Sequence, residues 1–195
     1  MNKEQIEQMA HEIIELYKKY GHEDYIGEPV SQLEHMCQCA QLAEEGGYDD
    51  EVILAAFFHD IGHLYEHIMP EGSAAGHMDN FGLVDHEKLG AAYVLEMGFS
   101  LKIAKLIESH VNAKRYLTYK DPEYYAQLSE ASKQTLQFQG GVMLPEEAAA
   151  FEADPLFPLY IALRRWDEQA KVTNKSLPDL ETYQQRIIEH LKQQN

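Results

Sequence analysis

Cysteine is almost missing from this sequence. The two that occur, Cys37 and Cys39, stand two residues apart on an expected helix. That spacing points them to different faces, so a mutual disulfide is not expected and both read as core thiols. Long hydrophobic runs are missing as well. The one extended apolar stretch, Val52–Phe58, is far shorter than the roughly 20 residues a helix needs to span a bilayer. The opening Met-Asn-Lys-Glu-Gln is polar and shows no signal-peptide hydrophobic stretch. The expectation is a cytoplasmic protein with no membrane partner.

Basic residues are scarce: 16 Lys and Arg stand against 33 Asp and Glu, a formal charge of −17. Such a surface repels a polyphosphate chain, which argues against nucleic acid as a partner. An anionic substrate would need a local basic cluster working against the overall field. Repeats, low-complexity tracts, linkers and period-two alternation are also lacking. A chain of 195 residues, 45% hydrophobic and 25% charged, fits one domain covering 1–195 that buries its own core.

What the sequence does hold is helical periodicity. Ile6, Met9, Ile13, Ile14, Leu16 and Tyr17 recur at near-helical spacing over 3–19. Gly21–Val30 reads as a loop broken by Gly27 and Pro29. Ser31 with Glu34 forms a capping box for a second helix to about Glu45, stopped by Gly46-Gly47. A third helix is expected from Asp49 or Asp50 to about His63. A loop rich in Gly and Pro follows over 69–82, within a longer stretch 64–85. Further helices are expected over 84–97, 100–113, 121–138, 145–151, 156–170 and 179–193. The class is all-α.

Ten histidines are many for this length, and their positions matter more than their number. The third helix is apolar nearly all round until His59 and Asp60 enter it together. Burying an ionised carboxylate is costly unless it is paired or bound to a metal. A hydrogen-bonded His–Asp pair explains the dipeptide as readily as a metal does. Adjacent helical positions diverge by about 100°, which would suit His59 serving one ion and Asp60 reaching toward a second. His35, His86, His110 and Asp167 also sit in or beside apolar segments. Singly, each reads more readily as a polar residue with an ordinary partner. Together they give the order His, His-Asp, His, His, Asp across most of the chain. His11, His22, His67, His77 and His190 read as surface or loop residues.

This order resembles the HD-domain superfamily, an all-α helical bundle with a buried metal site, and its two intervening histidines resemble the dinuclear branch. The resemblance implies one ion held by His35, His59, Asp60 and Asp167, and a second by His86 and His110 with Asp60 as bridge. Imidazole-rich ligation favours iron, manganese or zinc over magnesium. Longer stretches narrow the likeness. Asp24-Tyr25-Ile26-Gly27-Glu28-Pro29, Phe58-His59-Asp60-Ile61-Gly62-His63 and His110-Val111-Asn112-Ala113-Lys114-Arg115 resemble the PhnZ-like phosphonate-cleaving oxygenases. So do Leu128–Ser132 with Thr135, Gln139-Gly140-Gly141 and Arg164-Arg165-Trp166-Asp167-Glu168.

That resemblance implies two irons working as Fe(II)/Fe(III). It implies a reaction of O2 with a small hydroxyphosphonate, (R)-2-amino-1-hydroxyethylphosphonate, giving glycine and phosphate. An upstream phosphonate hydroxylase would supply that substrate. Tyr25 would sit over the first iron and gate its open position. Glu28 and His63 would lie near the substrate amine, and Lys114, Ser132 and Arg164 would face the phosphonate. Each has an ordinary alternative. Lys114 with Arg115 can be a solvated helix end, Arg164 a partner for a nearby Glu, and Ser132 a helix filler. Tyr25 can be a loop-packing ring, Glu28 an exposed carboxylate and His63 a helix C-terminal cap. The N-trimethyl analogue, giving glycine betaine, stays open, with Tyr25, Phe81 and Tyr93 as available aromatics. Metal-dependent phosphohydrolysis, the commoner HD chemistry, also stays open.

Overall fold

The computed structural model describes residues 1–25, 27–69, 76, 78 and 83–194. Among them are eleven α-helices and no strand. The chain opens with α1 (Lys3–Tyr20), capped by an Asn2/Gln5 capping box, then α2 (Gln32–Glu45), capped by the Ser31/Glu34 box read from the sequence. Between them, the segment from Gly21 to Ser31 folds back on itself. Tyr25 N–H donates to Val30 O at 3.0 Å and Gln32 N–H to Glu23 O at 3.0 Å. A tight turn from Tyr25 to Glu28 needs φ of +81° at Gly27, a conformation in which glycine carries no Cβ penalty.

The central helix is α3 (Asp50–Phe58), buried at every position from Val52 to Phe58. Tyr17 stacks on Phe57 at 4.2 Å, Phe57 stacks on Tyr183 at 4.1 Å, and Tyr17 Oη donates to Phe57 O at 2.6 Å. Truncating such a ring to Ala costs about 3–5 kcal/mol in a packed core. Cys37 and Cys39 are free thiols inside this core; burial pushes the Cys37 thiol up to about 12.

The third helix does not continue to His63. It stops at Phe58, and Asp60 takes φ −105°, ψ 12°, outside helical geometry, before α4 (Ile61–Tyr65) begins. The two residues that matter most therefore sit at a helix junction rather than on one helix face. A 3₁₀ turn, Glu66–Ile68, follows, so the first residues of the expected loop 64–85 are helical. His77, Phe81 and most of 70–82 lie outside the described residues.

Next come α5 (His86–Glu96) and α6 (Leu101–Lys120). The latter runs well past the expected stop at 113, which puts Lys114 and Arg115 inside it. The expected helix 121–138 is two helices, α7 (Pro122–Gln127) and α8 (Glu130–Phe138), because Ser129 caps the second by accepting from Ser132 N–H. The chain closes with α9 (Pro145–Glu152), α10 (Phe157–Gln169) and α11 (Leu180–Gln193). α2, α6 and α10 pack around α3, α10 packs against both α2 and α6, α4 packs on α5, and α1 packs on α11. His190 is not a surface residue: it is buried, stacks on Phe99 and accepts from Ser100 N–H at 3.3 Å.

Candidate metal centre

Five elements bring six side chains to one buried point. His35 comes from α2, His59 and Asp60 from the α3–α4 junction, His86 from the first turn of α5, His110 from α6 and Asp167 from α10. All six are 4% exposed or less. Each imidazole is fixed by its outer nitrogen. His35 Nδ1 donates to Ala170 O at 2.9 Å, His59 Nδ1 to Ala56 O at 2.8 Å, His86 Nδ1 to Leu83 O at 3.2 Å and His110 Nδ1 to Ile107 O at 2.7 Å. A carbonyl only accepts, so every Nδ1 carries a proton, and every Nε2 points inward, where it offers a lone pair once it holds no proton of its own.

Those lone pairs face one another. His35 and His59 approach Nε2 to Nε2 at 3.0 Å, and His86 and His110 at 3.1 Å. Asp60 stands between the pairs. Its Oδ2 lies 3.3 Å from His59 and 3.6 Å from His35, and its Oδ1 lies 3.4 Å from both His86 and His110. Asp167 Oδ1 is 3.4 Å from His35. Two groups result, His35/His59/Asp167 and Asp60/His86/His110, each with its ligand atoms within 4.8 Å of one another. Each can hold a metal ion, and four inward lone pairs with two carboxylates form a donor set that fits two such ions.

Against their burial, Asp60 raises the imidazoles of His59 and His86, so that protons take the place beside it that a metal ion would. Burial alone would raise the Asp60 carboxyl. The charge of His59 and hydrogen bonds from His59 and His86 instead hold it well below the usual carboxylate range. Asp167 is held well below that range against its own burial, mainly by Arg164. Burial pulls His110 down to about 3. It does the same to His63, with the charge of His86 adding to the effect.

Beside the cluster lies a cavity of about 170 Å³. Tyr25, Glu28, His63, Lys114, Ser132 and Arg164 all line it, together with Asp60, His86, His110 and Asp167. Tyr25 lies flat on His35, 4.1 Å between ring centroids and 12° between planes, and burial pushes its hydroxyl well up. His63 stacks on His86 at 4.1 Å. Glu28 is not an exposed loop carboxylate; its side chain is 9% exposed and pairs with Lys171 at 2.6 Å. Lys114 is not a solvated helix end. It is 3% exposed, and Nζ donates to Thr135 Oγ1 at 2.9 Å and to the Ser132 backbone carbonyl at 3.4 Å. Burial and the neighbouring charge of Arg164 bring it down to about 7.

Arg164 is the most tightly held of these. Nη1 donates to Asp167 Oδ2 at 2.5 Å, and Nε donates to Tyr124 Oη at 3.0 Å and Glu168 Oε1 at 2.9 Å. Nη2 is buried without a partner. A buried guanidinium nitrogen left open beside a cavity suits an anion.

Several cavity residues carried no signal in the sequence reading: Glu23, Glu66 and Met78. His67, expected at the surface, is part of this wall, stacked on Tyr20 at 4.0 Å and 3.2 Å from Glu23. Thr135, Gln139 and Glu168 fell inside motifs singled out from the sequence, which was the signal available for them. Lys171 and Tyr124 had none. Tyr93 does not reach the cavity; it stacks on Tyr65 and lines a groove with Leu16, Tyr20 and Met97. Among the described residues no helix is long and apolar enough to cross a membrane.

The HD-domain family model matches residues 33–154. An uncharacterized protein, L432, of Acanthamoeba polyphaga mimivirus is 47% identical over 192 residues, covering 98% of this chain and 86% of the relative. The [1-hydroxy-2-(trimethylamino)ethyl]phosphonate dioxygenase (glycine-betaine-forming) of Leisingera caerulea is 42% identical, covering 84% of this chain and 81% of the relative. The hydroxymethylphosphonate dioxygenase of Gimesia maris is 38% identical, covering 91% and 87%.

Proposed function

The chain belongs to the HD-domain family and, within it, to the PhnZ-like oxygenases, and from that membership we propose that it uses O2 to cleave the C–P bond of a 1-hydroxyalkylphosphonate. The proposed substrate is (R)-2-amino-1-hydroxyethylphosphonate, and the products are glycine and phosphate. Atoms balance without an external reductant: one substrate and one O2 give one glycine and one phosphate. The hydroxyl must be installed beforehand, which places a phosphonate hydroxylase upstream.

The observation that carries this reading is the juxtaposition of an inward-facing His₄Asp₂ set with an open, buried Arg164 Nη2 beside the same cavity. In the proposal, His35, His59, Asp60 and Asp167 would hold one iron, and His86 and His110, with Asp60, would hold the other. A bound iron pair supplies Lewis acidity toward the substrate oxygens and the redox change that O2 chemistry needs. The chain's own groups do the rest. Arg164 Nη2 and Lys114 Nζ donate to the phosphonate oxygens, with the Ser132 hydroxyl beside them. Tyr25, flat on His35, covers the first site until substrate enters. Burial of all six ligands keeps bulk water from the reacting centre.

The wall facing the amine decides the substrate within this reading. Glu23, Glu28 and Glu66 line the cavity with His63. Tyr25 is engaged with His35, and Tyr93 lies elsewhere. Carboxylates suit an ammonium that donates hydrogen bonds, whereas a trimethylammonium group prefers aromatic faces.

The test is incubation of anaerobically iron-loaded protein with (R)-2-amino-1-hydroxyethylphosphonate, its N-trimethyl analogue and hydroxymethylphosphonate, each under air and under argon. The expected result is phosphate with equimolar glycine from the first, under air only. A phosphoester incubated in parallel under argon separates the alternative: phosphate released from it would identify a hydrolase instead.

A further inference from the structure

The cavity wall holds two cations, Lys114 and Arg164, and several carboxylates, Glu28 among them. Lys114 and Arg164 come from α6 and α10, and Glu28 comes from the tight turn after Tyr25. Just past the end of α10, Lys171 reaches back 143 positions in sequence to place Nζ 2.6 Å from Glu28 Oε1. The pair is largely shielded, 16% and 9% exposed. The same ammonium lies 5.8 Å over the Tyr25 ring. Lys171 is absent from the cavity wall itself; it touches that wall at Glu28, by an ion pair, and at the Tyr25 ring.

We propose that Lys171 is a specificity-determining residue: through Glu28 it sets how strongly the cavity prefers a phosphonate bearing an ammonium head over one without. This rests on the phosphonate reading above. Lys171 occupies one carboxylate oxygen, Oε1, and offsets the charge of a side chain that lines the cavity. A bare, shielded carboxylate would attract a cationic head strongly and would be costly beside a neutral one. Paired with Lys171, Glu28 still orients an ammonium, but the cavity also accepts a head without charge. Glu28's share of the charge in the amine pocket is thus set by a residue outside it.

The experiment is calorimetric titration of the iron-loaded protein with 2-aminoethylphosphonate and with ethylphosphonate. Neither carries the reactive hydroxyl, so both report binding alone. The readout is the ratio of the two affinities. In Lys171→Met the preference for the amine rises about tenfold, with ethylphosphonate little changed, as expected for an unscreened charge in a shielded site. Lys171→Arg restores the ratio of the unaltered protein. Glu28→Gln brings the ratio toward one, and adding Lys171→Met to it changes nothing further, since the effect passes through Glu28.

If Lys171 merely fastened the turn, both ligands would weaken together and the ratio would stay put, which overturns the inference alone. Failure of the unaltered protein to bind either phosphonate overturns the phosphonate reading and the inference with it. Should Lys171→Met not fold, Glu28→Gln decides, because an unchanged ratio there removes the route by which Lys171 acts.

Discussion

His86 and His110 meet Nε2 to Nε2 at 3.1 Å while each commits its Nδ1 proton to a backbone carbonyl. Two lone pairs at that separation repel unless something positive lies between them. His35 and His59 repeat the arrangement at 3.0 Å, and one carboxylate, Asp60, turns one oxygen to each pair. A pair of cations resolves every one of these contacts at once. In the proposed function, Arg164 and Lys114, which line the neighbouring cavity, receive an anion beside them.

Asp60→Ala is expected to remove both metals together, because each group depends on it. Elemental analysis of anaerobically purified protein should fall from two irons per chain to near zero. Retention of two irons would mean that Asp60 does not bridge.

Gly62→Ala tests the scaffold beneath the centre. A Cβ at Gly62 would lie 1.9 Å from the carbonyl oxygen of His86, and backbone cannot swing aside as a side chain can. α5 would have to retreat, taking His86 with it. Overpacking of this kind costs about 1–3 kcal/mol or more, and each kcal/mol lowers the melting midpoint of a chain this size by roughly 2–4 °C. A melting curve and iron content equal to the unaltered protein's would contradict this.

Lys114→Met should weaken phosphonate binding by roughly 10–100-fold, the worth of one hydrogen bond to a charged group, while leaving iron content unchanged. On sequence grounds Arg164→Ala is expected to behave the same way. The structure changes that expectation, because Arg164 Nη1 holds Asp167 Oδ2 at 2.5 Å. Its removal should lower iron content at the His35 group as well as phosphonate affinity. Iron content unaffected by Arg164→Ala would show that Asp167 needs no such support.

The pH dependence should follow Lys114. Its folded value of about 7 lies below the ordinary lysine value of 10.5. The free enzyme therefore loses this cation as pH rises through about 7, long before an unfolded chain would. KM for the phosphonate should climb above that pH, and Lys114→Arg, which keeps its charge, should flatten the climb. For stability the sign is opposite. Between about 7 and 10.5 the unfolded chain binds more protons at this residue, so its burial becomes less costly as pH rises. A KM profile identical in both proteins would remove Lys114 from anion binding.

Much of this was legible in the sequence, for reasons that differ by residue. Ser31 with Glu34 announced α2 because capping is a local interaction. The six candidate ligands were visible as polar groups in or beside apolar segments, but singly each had an ordinary reading, and the ligand set came from the order they share with the HD-domain superfamily. The break at Asp60 was not legible, since Val52–Phe58 reads as helix and nothing in His-Asp-Ile-Gly signals a stop. The reach of α6 to Lys120 was missed because Lys114-Arg115 looks like a solvated end, while tertiary packing buries Lys114. The Lys171–Glu28 and Arg164–Tyr124 contacts join residues 143 and 40 positions apart, beyond any local pattern. His190 looked like surface because its partner Phe99 lies on a distant part of the chain.

The most direct test is anomalous diffraction at the iron edge from crystals of protein purified with iron under anaerobic conditions. Two peaks are predicted per chain, one among His35, His59 and Asp167, the other between His86 and His110, with Asp60 touching both. A map with no peak there, or with a single one that Asp60 does not touch, would contradict the account.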